Sequence, residues 1–154
     1  MHVEYTLPVR EAPKDEHEGE VTRIVDEIQS DFTDEWTGNC VYRLECFSPA
    51  NVGQIEEPHD GRKIRVAEAL TNSRLIYIGC SQWLENRLWK HVRGKSYGAK
   101  FTQQYRPTHL TEIRCYESIE EARDQEAKVG EEYQNLDDTY VYYRHNRHER
   151  FHWD

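Results

Sequence analysis

The stretch RLIYIGCSQWLENRLWKH, residues 74–91, changes its hydrophobic period halfway along. Its first half, RLIYIG, is rich in strand-forming residues and closes on Gly79. In its second half Leu84 and Leu88, with Val92 just beyond, recur every four residues, the buried stripe of an amphipathic helix. Ser81 stands where a helix N-cap is expected. A strand therefore passes directly into a helix. Arg87 and His91, four residues apart, are neighbours on one face of that helix. The plain reading is a solvated cationic face on a strand-to-helix junction.

Working outward, NCVYRLECF (39–47) alternates and predicts a strand. Pro49, Gly53, Pro58 and Gly61 mark a long loop between it and the next strand. RGKSYGAKFTQQYRPTH (93–109) reads as a cationic loop, and LTEIRCYE (110–117) as a third strand. Ser118 and Glu121 have the spacing of a capping box that opens a helix running to about Tyr133. After the turn NLDD, the segment TYVYYRH alternates like one further strand. Upstream, Val21, Ile24, Val25, Ile28 and Phe32 predict an acidic amphipathic helix, and the first 20 residues read as a mobile polar tail. The expected fold is α/β (α+β): a small sandwich with a mainly antiparallel three-stranded sheet flanked by helices, an N-terminal helix and a candidate C-terminal strand. The expected organisation is an acidic tail and helix over 1–38, a core domain over 39–135 carrying an insertion at 48–73, and a strand with a polar tail over 136–154.

The length of 154 residues fits one domain. The four cysteines form no C-x-x-C pair and sit in or beside apolar stretches, so reduced thiols are expected. No run is long enough to cross a membrane, and the start has no apolar signal region; a soluble, cytoplasmic protein is expected, with no membrane partner. The net charge of −9 is unevenly spread. Residues 1–39 carry 3 basic and 11 acidic side chains, whereas 74–114 carry 8 basic and 2 acidic ones. A cationic centre inside an acidic envelope can serve a polyanion despite the total.

Glu126 falls on the apolar stripe Ile119, Ala122, Val129, Tyr133 of the last helix. A carboxylate there needs a cation, because an unpaired buried charge costs several kcal/mol. The partner is either an arginine in a buried ion pair or a hard divalent metal, which often takes one carboxylate and keeps its waters. Arg87 can clamp a phosphate with two parallel hydrogen bonds, and His91 can pass a proton near neutral pH. Tyr42 and Tyr77 lie on different strands. A tyrosine acting as a base near pH 7 needs roughly 4 kcal/mol of preferential phenolate stabilisation, which a nearby cation and a proton acceptor supply in part.

Together these residues resemble the GIY-YIG nuclease family. The first motif stands here as CVY (Cys40–Tyr42), with cysteine in place of glycine, and the second as an unaltered YIG (Tyr77–Gly79). The family's helical arginine, ten positions after the second tyrosine, matches Arg87, and its histidine one turn later matches His91. GKSYGAKFT followed by RPTHL is similar to the family's loop before the third strand, and SIEEARDQE to its closing helix, with the metal-binding glutamate at Glu126. Asn135 is the nearest candidate for the family's late asparagine, although it falls early. The resemblance covers about residues 39 to 135 and implies hydrolysis of nucleic-acid phosphodiesters with one Mg²⁺ or Mn²⁺. It implies Tyr42 as general base, His91 as acceptor of its proton, Tyr77 and Arg87 on the nucleophile and phosphate, and Glu126 on the metal. Lys90, Arg93, Lys95, Lys100 and Arg106 would bind the backbone of the substrate, expected to be DNA because the family mostly cuts DNA. A homodimer or a partner protein is a candidate source of specificity.

Two other readings compete: a non-cleaving nucleic-acid-binding module of the same fold, and an acidic protein-interaction domain built on the N-terminal helix. His145, His148 and His152 have the spacing of zinc ligands on a helix, but the residues before them favour a strand.

Overall fold

The computed structural model describes residues 1–48, 74–94, 100–134 and 136–143. The expected insertion at 48–73, save for Ser48, and the three C-terminal histidines lie outside those residues. Five strands, β1 (His2–Thr6), β2 (Asn39–Cys46), β3 (Arg74–Ser81), β4 (Pro107–Tyr116) and β5 (Thr139–Tyr142), form one sheet in the order β1-β4-β2-β3-β5. The helices are α1 (Lys14–Phe32), α2 (Leu84–Arg93), the short α3 (Lys100–Gln104) and α4 (Ile119–Gln134).

The central three strands are antiparallel, as expected, with Tyr42 opposite Gly79 on one side and Ile113 on the other. The sheet is nevertheless larger than three strands, and mixed. TYVY joins it as β5, parallel to β3, with Arg74 opposite Thr139 and Tyr77 opposite Tyr142. A parallel partner needs a crossover, and α4 supplies it. At the opposite edge β1 pairs antiparallel with β4, while the Met1 amino group donates to the Ile113 carbonyl at 2.7 Å. The first 20 residues are therefore not a mobile tail: they contribute an edge strand and the start of α1, which begins at Lys14. Their partner is the free edge of β4, about a hundred residues away, so no local pattern reveals it.

Strand alternation divides the core. Tyr42, Leu44, Leu75, Tyr77, Leu110 and Ile113 face α1 and α2, packing against Val21, Ile24, Ile28, Leu84, Leu88 and Val92. Val41, Ile76, Ile78 and Val141 point the other way, onto Ala122 and Val129 of α4.

Two local readings shift in detail. Ser81 is not the N-cap of α2; Trp83 holds that position, and the Ser81 hydroxyl accepts the Trp83 N–H at 2.9 Å just ahead of the helix. At α4 Ser118 accepts the Glu121 N–H at 3.1 Å as expected, but the Glu121 carboxylate accepts from Glu117 N–H, one residue earlier than a reciprocal box would have it. All four cysteines are free thiols, and burial pushes those of Cys40 and Cys46 well above the ordinary thiol range.

Candidate active site

Tyr42 and Tyr77 project from adjacent strands onto the face that carries α2, and each is 1% exposed. The reason they lie so close is Gly79. A Cβ at that position would stand 2.6 Å from the Tyr42 Cζ and Oη and 2.8 Å from the Tyr77 Cε1. The phenol of Tyr42 thus crosses the neighbouring strand through space that only glycine leaves open. Tyr77 is held by stacking on Tyr142, with ring centroids 5.5 Å apart, and Tyr142 stacks in turn on Phe101 at 5.0 Å.

One turn into α2, Arg87 is half-buried beside both hydroxyls. Burial works against its charge, but hydrogen bonds and electrostatic attraction to the Tyr42 and Tyr77 oxygens outweigh that and raise its pKa above the ordinary value. By reciprocity the same guanidinium favours the deprotonated form of either phenol. One turn later His91 is fully buried. Its Nε2 lies 2.8 Å from the Tyr42 Oη, and its Nδ1 lies 2.9 Å from the Thr102 Oγ1. When Tyr42 donates to Nε2, the ring proton sits on Nδ1 and the Thr102 hydroxyl can accept it. Thr102, also fully buried, had no role in the sequence reading; its place three residues after a Gly-Ala pair was the only signal.

Tyr42, Tyr77, Arg87 and His91 are therefore together. Glu126 is not on their side of the sheet. It is fully buried, on the stripe of α4 that packs against Val41, Ile76 and Ile78, the opposite face. Both faces border the outer edge of β3, whose pairing with β5 ends at Tyr77.

Of the expected backbone-binding cations, Lys90 lies half-buried on α2, and Arg93 donates to the Nδ1 of His17 at 3.1 Å. Arg106 rests over the Phe47 ring, 5.6 Å from its centroid. Lys95 and Asn135 fall outside the described residues, as does the side chain of Lys100. Among the described residues no group of three or more His, Cys, Asp or Glu side chains could hold a metal ion, and no helix is long and apolar enough to cross a membrane. A hydrated hard cation asks for one or two carboxylate oxygens from the protein, which Glu126 could supply, but its full burial keeps it out of reach of solvent in this structure.

A tyrosine pair, a cation and a buried imidazole thus meet at a strand-to-helix junction of a small α+β sandwich. The family model of the GIY-YIG catalytic domain matches residues 65–140, and the chain belongs to that nuclease family. The match takes in Tyr77, Arg87, His91 and Glu126 but begins after β2, so Tyr42 joins the set by its contacts with His91 and Gly79. No curated protein and no solved structure matches the chain.

Proposed function

We propose that this protein is a metal-dependent endonuclease that hydrolyses DNA phosphodiesters with Tyr42 as general base. The observation that carries the reading is the buried chain Tyr42 Oη, His91 Nε2, His91 Nδ1, Thr102 Oγ1, with Arg87 alongside. Tyr42 gives its proton to His91, and the phenolate then takes a proton from the attacking water. Arg87 favours that phenolate and offsets the charge that builds on the phosphate. Tyr77 orients the water or a phosphate oxygen. Mg²⁺ or Mn²⁺ held by Glu126 would supply electrostatic stabilisation of the leaving oxygen. Because Glu126 belongs to the other face, the substrate would have to reach both sides of the sheet at β3.

The near-complete burial of Tyr42, Tyr77 and His91 favours one rival, a binding module that keeps the fold without cutting. Supercoiled, linear, branched and flapped DNA incubated with and without Mg²⁺ or Mn²⁺ separates the two. Cleavage that needs metal and is abolished in Tyr42→Phe and Glu126→Gln, with binding spared, is the expected result. Binding without cleavage on every substrate and with either metal would establish the rival.

A further inference from the structure

The N-terminal segment does more than extend the sheet. Arg10, outside the residues that the family model matches, reaches from the turn before α1 to the ends of two helices. Its Nη1 donates to the Gln103 carbonyl at 2.9 Å, and its Nη2 donates to the Thr102 carbonyl at 2.6 Å and, at 3.5 Å, to that of His91. All three carbonyls lie in the last turn of α2 or α3, where backbone acceptors lack partners within the helix. A planar guanidinium can satisfy several of them at once, and a cation suits a helix C-terminus.

The space around the fork is built for it. Gly94 ends α2 with φ +68°, and a Cβ there would come within 2.4 Å of the Arg10 Cζ. Leu7 is buried and donates to the Thr108 carbonyl at 2.9 Å, and the Val9 carbonyl lies 2.7 Å from the His17 Nε2. These contacts pin the segment on both sides of Arg10. The Arg10 Nε is buried with no hydrogen-bond acceptor among the described residues.

His91 and Thr102, whose side chains form the proton relay, are also two of the three residues whose backbones Arg10 ties together. We infer that Arg10 is a positioning residue that fixes the distance between α2 and α3, and so the His91–Thr102 contact and the tautomer of His91. The inference rests on the reading of His91 as the proton acceptor, and its test does not depend on cleavage alone.

Arg10→Met and Arg10→Lys, each checked for an intact thermal transition, are compared with the wild type in two measurements. In steady-state cleavage, Arg10→Met lowers kcat about 10- to 100-fold with KM changed little, as for a misplaced catalytic group, and Arg10→Lys recovers part of the loss. In ¹⁵N spectra of the histidine rings, taken without metal or DNA, the His91 signals move from a single-tautomer pattern towards an averaged one. Gly94→Ala, which drives a methyl into the guanidinium, reproduces the Arg10→Met spectrum. If the wild type cuts nothing, the nuclease reading fails, while a changed His91 spectrum still supports the positioning role. Unchanged His91 signals in Arg10→Met, or a kcat loss no larger than the loss of folded protein, overturn the inference.

Discussion

At the scale of single residues, Gly79 and Thr102 carry the most leverage for the least chemistry. Gly79→Ala places a methyl 2.6 Å from the Tyr42 hydroxyl, so the phenol has to leave its position against His91. Overpacking of this kind costs about 1–3 kcal/mol. Chemical denaturation should show that loss, with cleavage falling further than the unfolded fraction explains. Thr102→Val removes the partner of the His91 Nδ1 at a fully buried position, a change worth about 1–3 kcal/mol for an unsatisfied polar group. Thr102→Ser should keep both stability and activity. Equal behaviour of the two variants in melting and cleavage assays would remove Thr102 from the relay. That Arg87 and His91 share a helix face was legible in the sequence because a four-residue spacing is local, whereas their link to Tyr77 came from the family motif. The Tyr42–His91 contact was expected only through the family resemblance and the His91–Thr102 contact not at all, since they depend on how far the Gly79 gap lets one strand's side chain reach, and on where a short helix closes.

Among elements, α4 shows both what periodicity reveals and what it omits. Its stripe correctly placed Glu126 inside the protein, because a 3.6-residue repeat fixes which positions turn inward. It could not tell which face of the sheet the helix would cover; that follows from the crossover to the parallel strand β5, and the pairing of TYVY with β3 is not a local property. The helix is anchored to β4 by Arg114, which donates to Glu132 at 3.1 and 2.6 Å and to the buried Glu112 at 3.2 Å. The Arg114 hydrogen bonds hold the Glu132 carboxyl below its usual range. A carboxyl whose pKa is depressed in the folded state contributes stability above its unfolded pKa and loses it as pH falls through the folded value. Glu132→Gln should therefore lower the melting temperature slightly near neutral pH and not below the folded pKa, so that the variant's acid limb is flatter than the wild type's. The effect is small, because Glu132 is half-exposed and solvent screens the pair. Parallel acid limbs in the two proteins would dismiss the anchor.

For the whole molecule the question is how a chain of net charge −9 holds a polyanion. The cationic middle segment answers it only if its side chains are free to meet phosphates, and the structure separates those candidates. Arg93 is engaged by the buried His17, itself bonded to Val9, so it belongs to the clamp between α1, α2 and the N-terminal segment. Lys90 sits on the same helix, one turn after Arg87. Each phosphate that a lysine neutralises releases a counterion and adds about 0.9 to the slope of log affinity against log salt on duplex DNA. Lys90→Ala should thus weaken DNA binding on every sequence alike and reduce that slope by about 1. Arg93→Ala should leave the slope near its wild-type value and lower the melting temperature instead, since it strips a partner from a buried imidazole. Binding measured by anisotropy across a salt series, at matched folded fractions, reads both variants. If Arg93→Ala shifts the slope while Lys90→Ala does not, the phosphate track runs along the α1 side of the molecule, and the assignment of these two cations is reversed.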